Sequence, residues 1–167
     1  MSKKVIVFMD EGQCKIIVPI DGIEAEDELT RLKEHSQDYP NNVLDSARIV
    51  IREDTIPEDR LFRNAWTDEY DTPTVDINID KAKDIHMSRI REMRDRALED
   101  SDKEFMVKLS KGEDTSNIVT MKNTLRDIPQ TVQPDIENIK TVEELKAYWP
   151  EGLETHPSYI KYFKYPK

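Results

Sequence analysis

Hydrophobic and polar positions change period along this chain. Two short β-branched runs open it, Lys4-Val5-Ile6-Val7-Phe8-Met9 and Lys15-Ile16-Ile17-Val18-Pro19-Ile20. Asp10-Glu11-Gly12-Gln13 lies between them, which predicts a β-hairpin with a loop of the three-to-five-residue class. Pro19 marks an edge or the end of the second strand. From residue 24 to 36, Ala25, Leu29 and Leu32 form a partial apolar stripe on a charged background, the mark of a helix that Tyr39-Pro40-Asn41-Asn42 breaks. Ser46-Ala47-Arg48-Ile49-Val50-Ile51-Arg52 reads as a third strand. Residues 1–56 are thus expected to form a small ββαβ unit, whose few strands need a covering layer to be stable. Pro57 and Pro73 bracket a connector, 57–79, with Leu61, Phe62 and Trp66 expected to dock onto one of the halves.

The period then lengthens. Ala82, Ile85, His86, Ile90, Met93, Ala97, Leu98, Phe105, Met106 and Leu109 fall near a 3.6-residue repeat, with Lys, Arg, Asp and Glu opposite. No Gly or Pro interrupts Ile79 to Lys111, so one helix on the order of 45 Å long is expected. Asp80 is its expected N-cap and Gly112 its stop, with Ser101-Asp102 the place for a kink. Thr115 or Ser116 caps a second helix with Ile118, Met121, Leu125 and Ile128 on one face, and Pro129 is expected to end it. The short loop between the two predicts an antiparallel hairpin. Thr141 and Glu144 have the spacing of a capping box, opening a short helix that Pro150 stops. The fold class is α+β: the small N-terminal unit, a long helical hairpin with a short C-terminal helix over 80–153, and a tail from 154 to 167.

Composition narrows the function classes. The net charge is −10 with 36% charged residues, which argues against non-specific nucleic-acid binding. Four glycines leave almost no room for a phosphate-cradling loop. Cys14 is the one cysteine, so an intramolecular disulfide is excluded and a reducing compartment suits the chain. Asp10 and Glu11 end the first apolar run well short of a signal peptide, and no apolar stretch is long enough to span a bilayer. The expectation is a soluble protein made in the cytoplasm, with no membrane partner.

The candidate chemistry is sparse. His35, His86 and His156 lie far apart, with no His or Cys at a metal-ligand spacing, and His86 reads as a surface or boundary residue of its helix. Asp68, Glu69 and Asp71 are oxygen-rich but lack the glycine turn of a calcium loop, so they read as a solvated acidic segment. Cys14 sits beside an apolar strand as a small core or edge residue. The run Arg89-Ile90-Arg91-Glu92-Met93-Arg94-Asp95-Arg96 could meet phosphate, but interleaved Glu92 and Asp95 favour ion pairing along a solvated face. No catalytic, metal or cofactor site is expected, and the chain reads as a non-enzyme. The tail is different. Tyr159, Tyr162, Phe163 and Tyr165 alternate with Lys161, Lys164 and Lys167, against an otherwise acidic body. Such aromatics favour interface anchors. The alternatives are that the tail folds back on the chain's own acidic surface, or adds a strand to the N-terminal sheet.

Met121-Lys122-Asn123-Thr124-Leu125-Arg126-Asp127-Ile128-Pro129 resembles a motif of the tail fibre assembly chaperones of tailed bacteriophages. Glu144-Leu145-Lys146-Ala147-Tyr148-Trp149-Pro150 resembles the Trp-Pro that closes the same region, and Leu98-Glu99-Asp100-Ser101-Asp102 is similar to a turn ahead of it. The resemblance covers roughly residues 80 to 150 and leaves out the ββαβ unit. The tryptophan usual after that aspartate is absent: Lys103 stands there and Phe105 is the nearest aromatic. The resemblance implies a protein that helps phage fibre or tail subunits fold and trimerise, acting in the host cytoplasm during assembly. It implies partner contacts at Leu125, Arg126, Asp127 and Trp149, to which the tail aromatics Tyr159, Tyr162, Phe163 and Tyr165 are added. A structural adaptor retained in the virion tail or fibre is the alternative. A purely structural reading of the motif stands beside both: Leu125 packs inward, Arg126 lies in the last helical turn, and Asp127 accepts hydrogen bonds from the following loop.

Overall fold

A computed structural model describes residues 3–68 and 72–153. The chain divides into two compact units, Met1–Ala82 and Lys83–Lys167. It is a mixed α+β fold, as the change of period predicts.

The first unit is built on an antiparallel sheet of β1 (Lys4–Asp10), β2 (Gln13–Ile17) and β3 (Arg48–Ile51), in the order β2-β1-β3. Asp10 pairs with Gln13, so the hairpin loop is only Glu11-Gly12, shorter than expected. Both residues have positive φ, 48° and 72°, the signature of the type I′ turn whose twist matches that of the strands. Ile6 is the centre of the register, opposite Ile17 on one side and Ile49 on the other. Val5, Ile6, Val7 and Phe8 are all fully buried. That unbroken apolar run has a direct cause: both faces of the sheet are covered. Ile6 and Phe8 pack with Ala25 and Leu44, which come from α1 (Ala25–His35) and α2 (Asn41–Leu44). Val5 and Val7 pack on the other face against Trp66 and Val75. Residues 57–79 therefore supply a second covering layer. Within them a 3₁₀ turn at Arg63–Ala65 leads into β4 (Trp66–Thr67), which pairs with β5 (Asp76–Ile77). Between β3 and this layer lies one turn of helix, α3 (Arg52–Thr55). Phe62, Ala65 and Trp66 are buried, while Leu61 is half-buried.

The second unit is dominated by α4 (Ile79–Ser110) and α5 (Ser116–Asn138). Asn78, not Asp80, caps α4: its Oδ1 accepts from the Lys81 backbone N–H at 3.0 Å. The helix runs through Ser101, whose hydroxyl donates to the Ala97 carbonyl at 2.6 Å. It ends as its glycine predicts. Gly112 has φ 69°, its N–H donates to Leu109, and the Glu113 N–H reaches back to Lys108, the paired bonds of a Schellman stop. The two helices run antiparallel, which the Lys122–Asp102 ion pair near the turn and the Lys83 to Glu137 carbonyl bond near the opposite end both record.

Pro129 does not end α5. The helix continues to Asn138 with both Pro129 and Pro134 inside it. Each proline removes a backbone bond and carries a propensity cost of about 3 kcal/mol. The buried line Ile118, Leu125, Ile128, Val132 and Ile136 runs past both, and burial of apolar side chains at about 1.5–3 kcal/mol each offsets that cost. Thr115 is the N-cap of α5, one of the two residues expected, but the side-chain bonds come from Asp114, whose Oδ1 accepts from both the Ser116 backbone and its hydroxyl. The capping box of α6 (Val142–Ala147) is present, with Glu144 N–H donating to Thr141 Oγ1 and Thr141 N–H to Glu144 Oε2, both at 3.2 Å.

Candidate interaction faces of the helical unit

Within the second unit, α4 and α5 are covered differently along their length. Toward the start of α4, Met87, Ile90 and Met93 are buried, and Leu145, Pro150 and Leu153 are buried in the C-terminal segment. His86 joins the two stretches. It is fully buried rather than on the surface, and Trp149 packs edge-on to its ring at 4.8 Å between centroids. His86 Nε2 lies 2.9 Å from the Tyr148 carbonyl. A carbonyl only accepts, so Nε2 carries the proton. Burial pushes the imidazole pKa below its ordinary value; the bond to Tyr148 opposes that shift and the nearby Arg89 adds to it. The Tyr148 hydroxyl donates to Asp135 at 2.9 Å, and burial with this bond holds it protonated up to about 12.

Toward the turn between the helices the covering stops. Met106 is 62% exposed, Leu109 55%, Val107 51%, Val119 44% and Met121 43%. Sequence periodicity had put Met106, Leu109 and Met121 on the buried stripe. The drift of the helix explains the difference. The line Ile90, Met93, Ala97, Ser101 continues through Phe105 and Lys108, both half-buried, which leaves Met106 and Leu109 off it. Ion pairs fringe the exposed side chains: Lys108 with Glu104 at 3.2 Å, Lys103 with Asp100 at 2.8 Å, and Lys122 with Asp102. Lys122 also lies 5.3 Å from the centre of the Phe105 ring.

A second feature is a groove of about 310 Å³ along one side of the hairpin. Ala97, Ser101, Leu125 and Ile128 line it, with Met121 and Thr124. Its carboxylates are Asp100, Glu104 and Glu151, and Gly152 also lines it. Of these residues the sequence marks only Leu125 as a partner contact. Asp100, Glu104 and Glu151 carry no signal beyond an ordinary acidic surface until the helices are paired.

The expected contact residues fall in different places. Leu125 is 5% exposed and faces the hairpin interior and this groove. Arg126 is exposed in mid-helix, not in a last turn, with Nη1 donating to Asn123 Oδ1 at 2.9 Å. Asp127 is exposed, and the bond recorded there is to its backbone carbonyl, from the Thr131 hydroxyl at 3.0 Å. Leu125 packs inward as the structural reading expects, while the helix-stop roles of Arg126 and Asp127 are overturned by the continuation of α5. Trp149 is half-buried, with its ring on His86 and its Nε1–H donating to Lys146 at 3.2 Å. Tyr159, Tyr162, Phe163 and Tyr165 lie outside the described residues.

The other candidates resolve simply. Cys14 is half-buried on β2, and burial, with Asp68 nearby, pushes its thiol up to about 11, away from reactivity. Asp68 is not a free acidic ligand: it is bound by the Arg48 guanidinium, with Nε to the two carboxylate oxygens at 2.9 and 3.0 Å and Nη2 to Oδ1. In the arginine-rich run, Arg96 pairs with Glu92 at 2.6 Å and Arg94 with Asp95 at 2.8 Å. Among the described residues no group of His, Cys, Asp or Glu is arranged to hold a metal ion, and no helix is long and apolar enough to cross a membrane. No family model, curated protein or solved structure matches the chain.

Proposed function

We propose that this chain is a non-enzymatic assembly protein of a tailed bacteriophage, acting in the host cytoplasm as a chaperone-like binder of a tail or tail-fibre subunit. The observation that carries the proposal is the uncovered end of the hairpin. Met106, Leu109 and Val119 are exposed there among paired charges, in the region that resembles the fibre assembly chaperones. Adhesive apolar surface fringed by charge is what such a chaperone needs, because it must hold a folding subunit and still remain soluble by itself.

A structural adaptor retained in the particle is the second reading, and one feature of the first unit favours it. Among the described residues β2 is an edge strand, and a groove of about 300 Å³ runs beside it, lined by Gln13 to Ile17 with Tyr39, Arg63 and Asn64. An edge with a groove alongside suits addition of a strand from a neighbour. Co-expression with tail and fibre subunits from the source genome, with quantitative mass spectrometry of mature particles, separates the two. The proposal expects soluble fibre only on co-expression, and absence from the particle. Fixed stoichiometry in the particle establishes the adaptor, and no effect on any subunit rejects both.

A further inference from the structure

We propose that the acidic groove of the helical unit is the docking site for the chain's own C-terminal segment, residues 154–167. The groove has an apolar lining, Ala97, Leu125, Ile128 and Met121, and three carboxylates: Glu151, and Asp100 and Glu104, which already meet Lys103 and Lys108 in exposed ion pairs that a docked lysine would share. The segment has the matching composition: Tyr159, Tyr162 and Phe163 for the lining, Lys161 and Lys164 for the carboxylates. The point of departure fits as well. The described chain ends at Leu153, next to Gly152 and Glu151 of the groove wall. Tyr159 is six residues on, a reach of up to roughly 20 Å for extended chain, whereas Ala97 to Glu104 spans only about 10 Å along the helix. The segment can therefore reach the whole groove without strain.

Docking in cis also has an entropic advantage. A tethered segment meets its site at an effective concentration near the millimolar range, so modest contacts suffice.

Methionine oxidation tests it in the full-length protein. Met121 is in the groove and Met106 is outside it, so each molecule carries its own reference. Peroxide oxidation tracks access to the thioether. The rates at both methionines are measured by peptide mass spectrometry, in wild type and in a Tyr159→Ser, Tyr162→Ser, Phe163→Ser variant. The expected result is a Met121 rate at least about threefold higher in the variant, with Met106 unchanged. Slow oxidation of buried Met87 and Met93 in both proteins checks that the variant is folded. A Lys161→Glu, Lys164→Glu variant, which keeps the aromatics, is expected to move Met121 in the same direction. An unchanged ratio of Met121 to Met106 in both variants overturns the inference. So does protection of Met121 that disappears on dilution, which assigns the groove to a second copy.

Discussion

The two ends of the helical unit use the same materials differently. Around His86, Ile90 and Met93 the apolar side chains are buried, Trp149 packs on the His86 ring, and burial lowers the pKa of that histidine. Around Met106, Leu109 and Val119 the same two helices have comparable apolar side chains and leave them in solvent. Apolar periodicity is present at both ends. Whether the apolar side chains of the seam are buried decides how much they stabilise the unit.

The sharpest way to break that comparison is to delete the same bulk at each end. Ile90→Ala is expected to cost about 2–5 kcal/mol, because it removes a fully buried side chain and leaves a cavity. Leu109→Ala is expected to stay within about 0.5 kcal/mol of wild type, as an exposed substitution. Urea denaturation of both variants checks this. Equal losses would mean that the turn end is also packed.

A smaller effect sharpens the account of the covered end. The folded-state pKa of His86 lies below its ordinary value of 6.5, so the unfolded chain takes up the proton first. Stability from this residue is complete above pH 6.5 and is lost as pH falls from there through the folded pKa. The difference in urea midpoint between wild type and His86→Leu is therefore expected to shift toward the variant between about pH 7.5 and 5.5. A difference that does not change with pH would contradict the burial.

Much of this was legible in the chain, for reasons that differ by element. The Thr141–Glu144 capping box and the Gly112 stop are local devices, set by residues three or four apart, and both appear where the spacing puts them. Strands β1, β2 and β3 were legible because β-branched runs have few alternatives, whereas the two-residue strands β4 and β5 were not, being too short to show a period. Pro129 misled because a local breaker competes with burial at Val132 and Ile136, and burial depends on what lies across the seam. His86 looked like a boundary residue for the same reason: its cover comes from Tyr148 and Trp149, 62 and 63 positions away. The loop Glu11-Gly12 was read one class too long because a non-glycine residue occupies a left-handed position. The groove was the least legible feature, since Asp100, Glu104 and Glu151 become a set only when α4, α5 and the Gly152 turn are side by side.

The division of labour between the two ends is tested most directly by co-expressing a fibre subunit with a Met106→Ser, Leu109→Ser, Val119→Ser variant. The account predicts that the variant keeps the wild-type unfolding free energy to within about 1 kcal/mol while the fibre is no longer recovered soluble. Full recovery of soluble fibre with the same variant would contradict it.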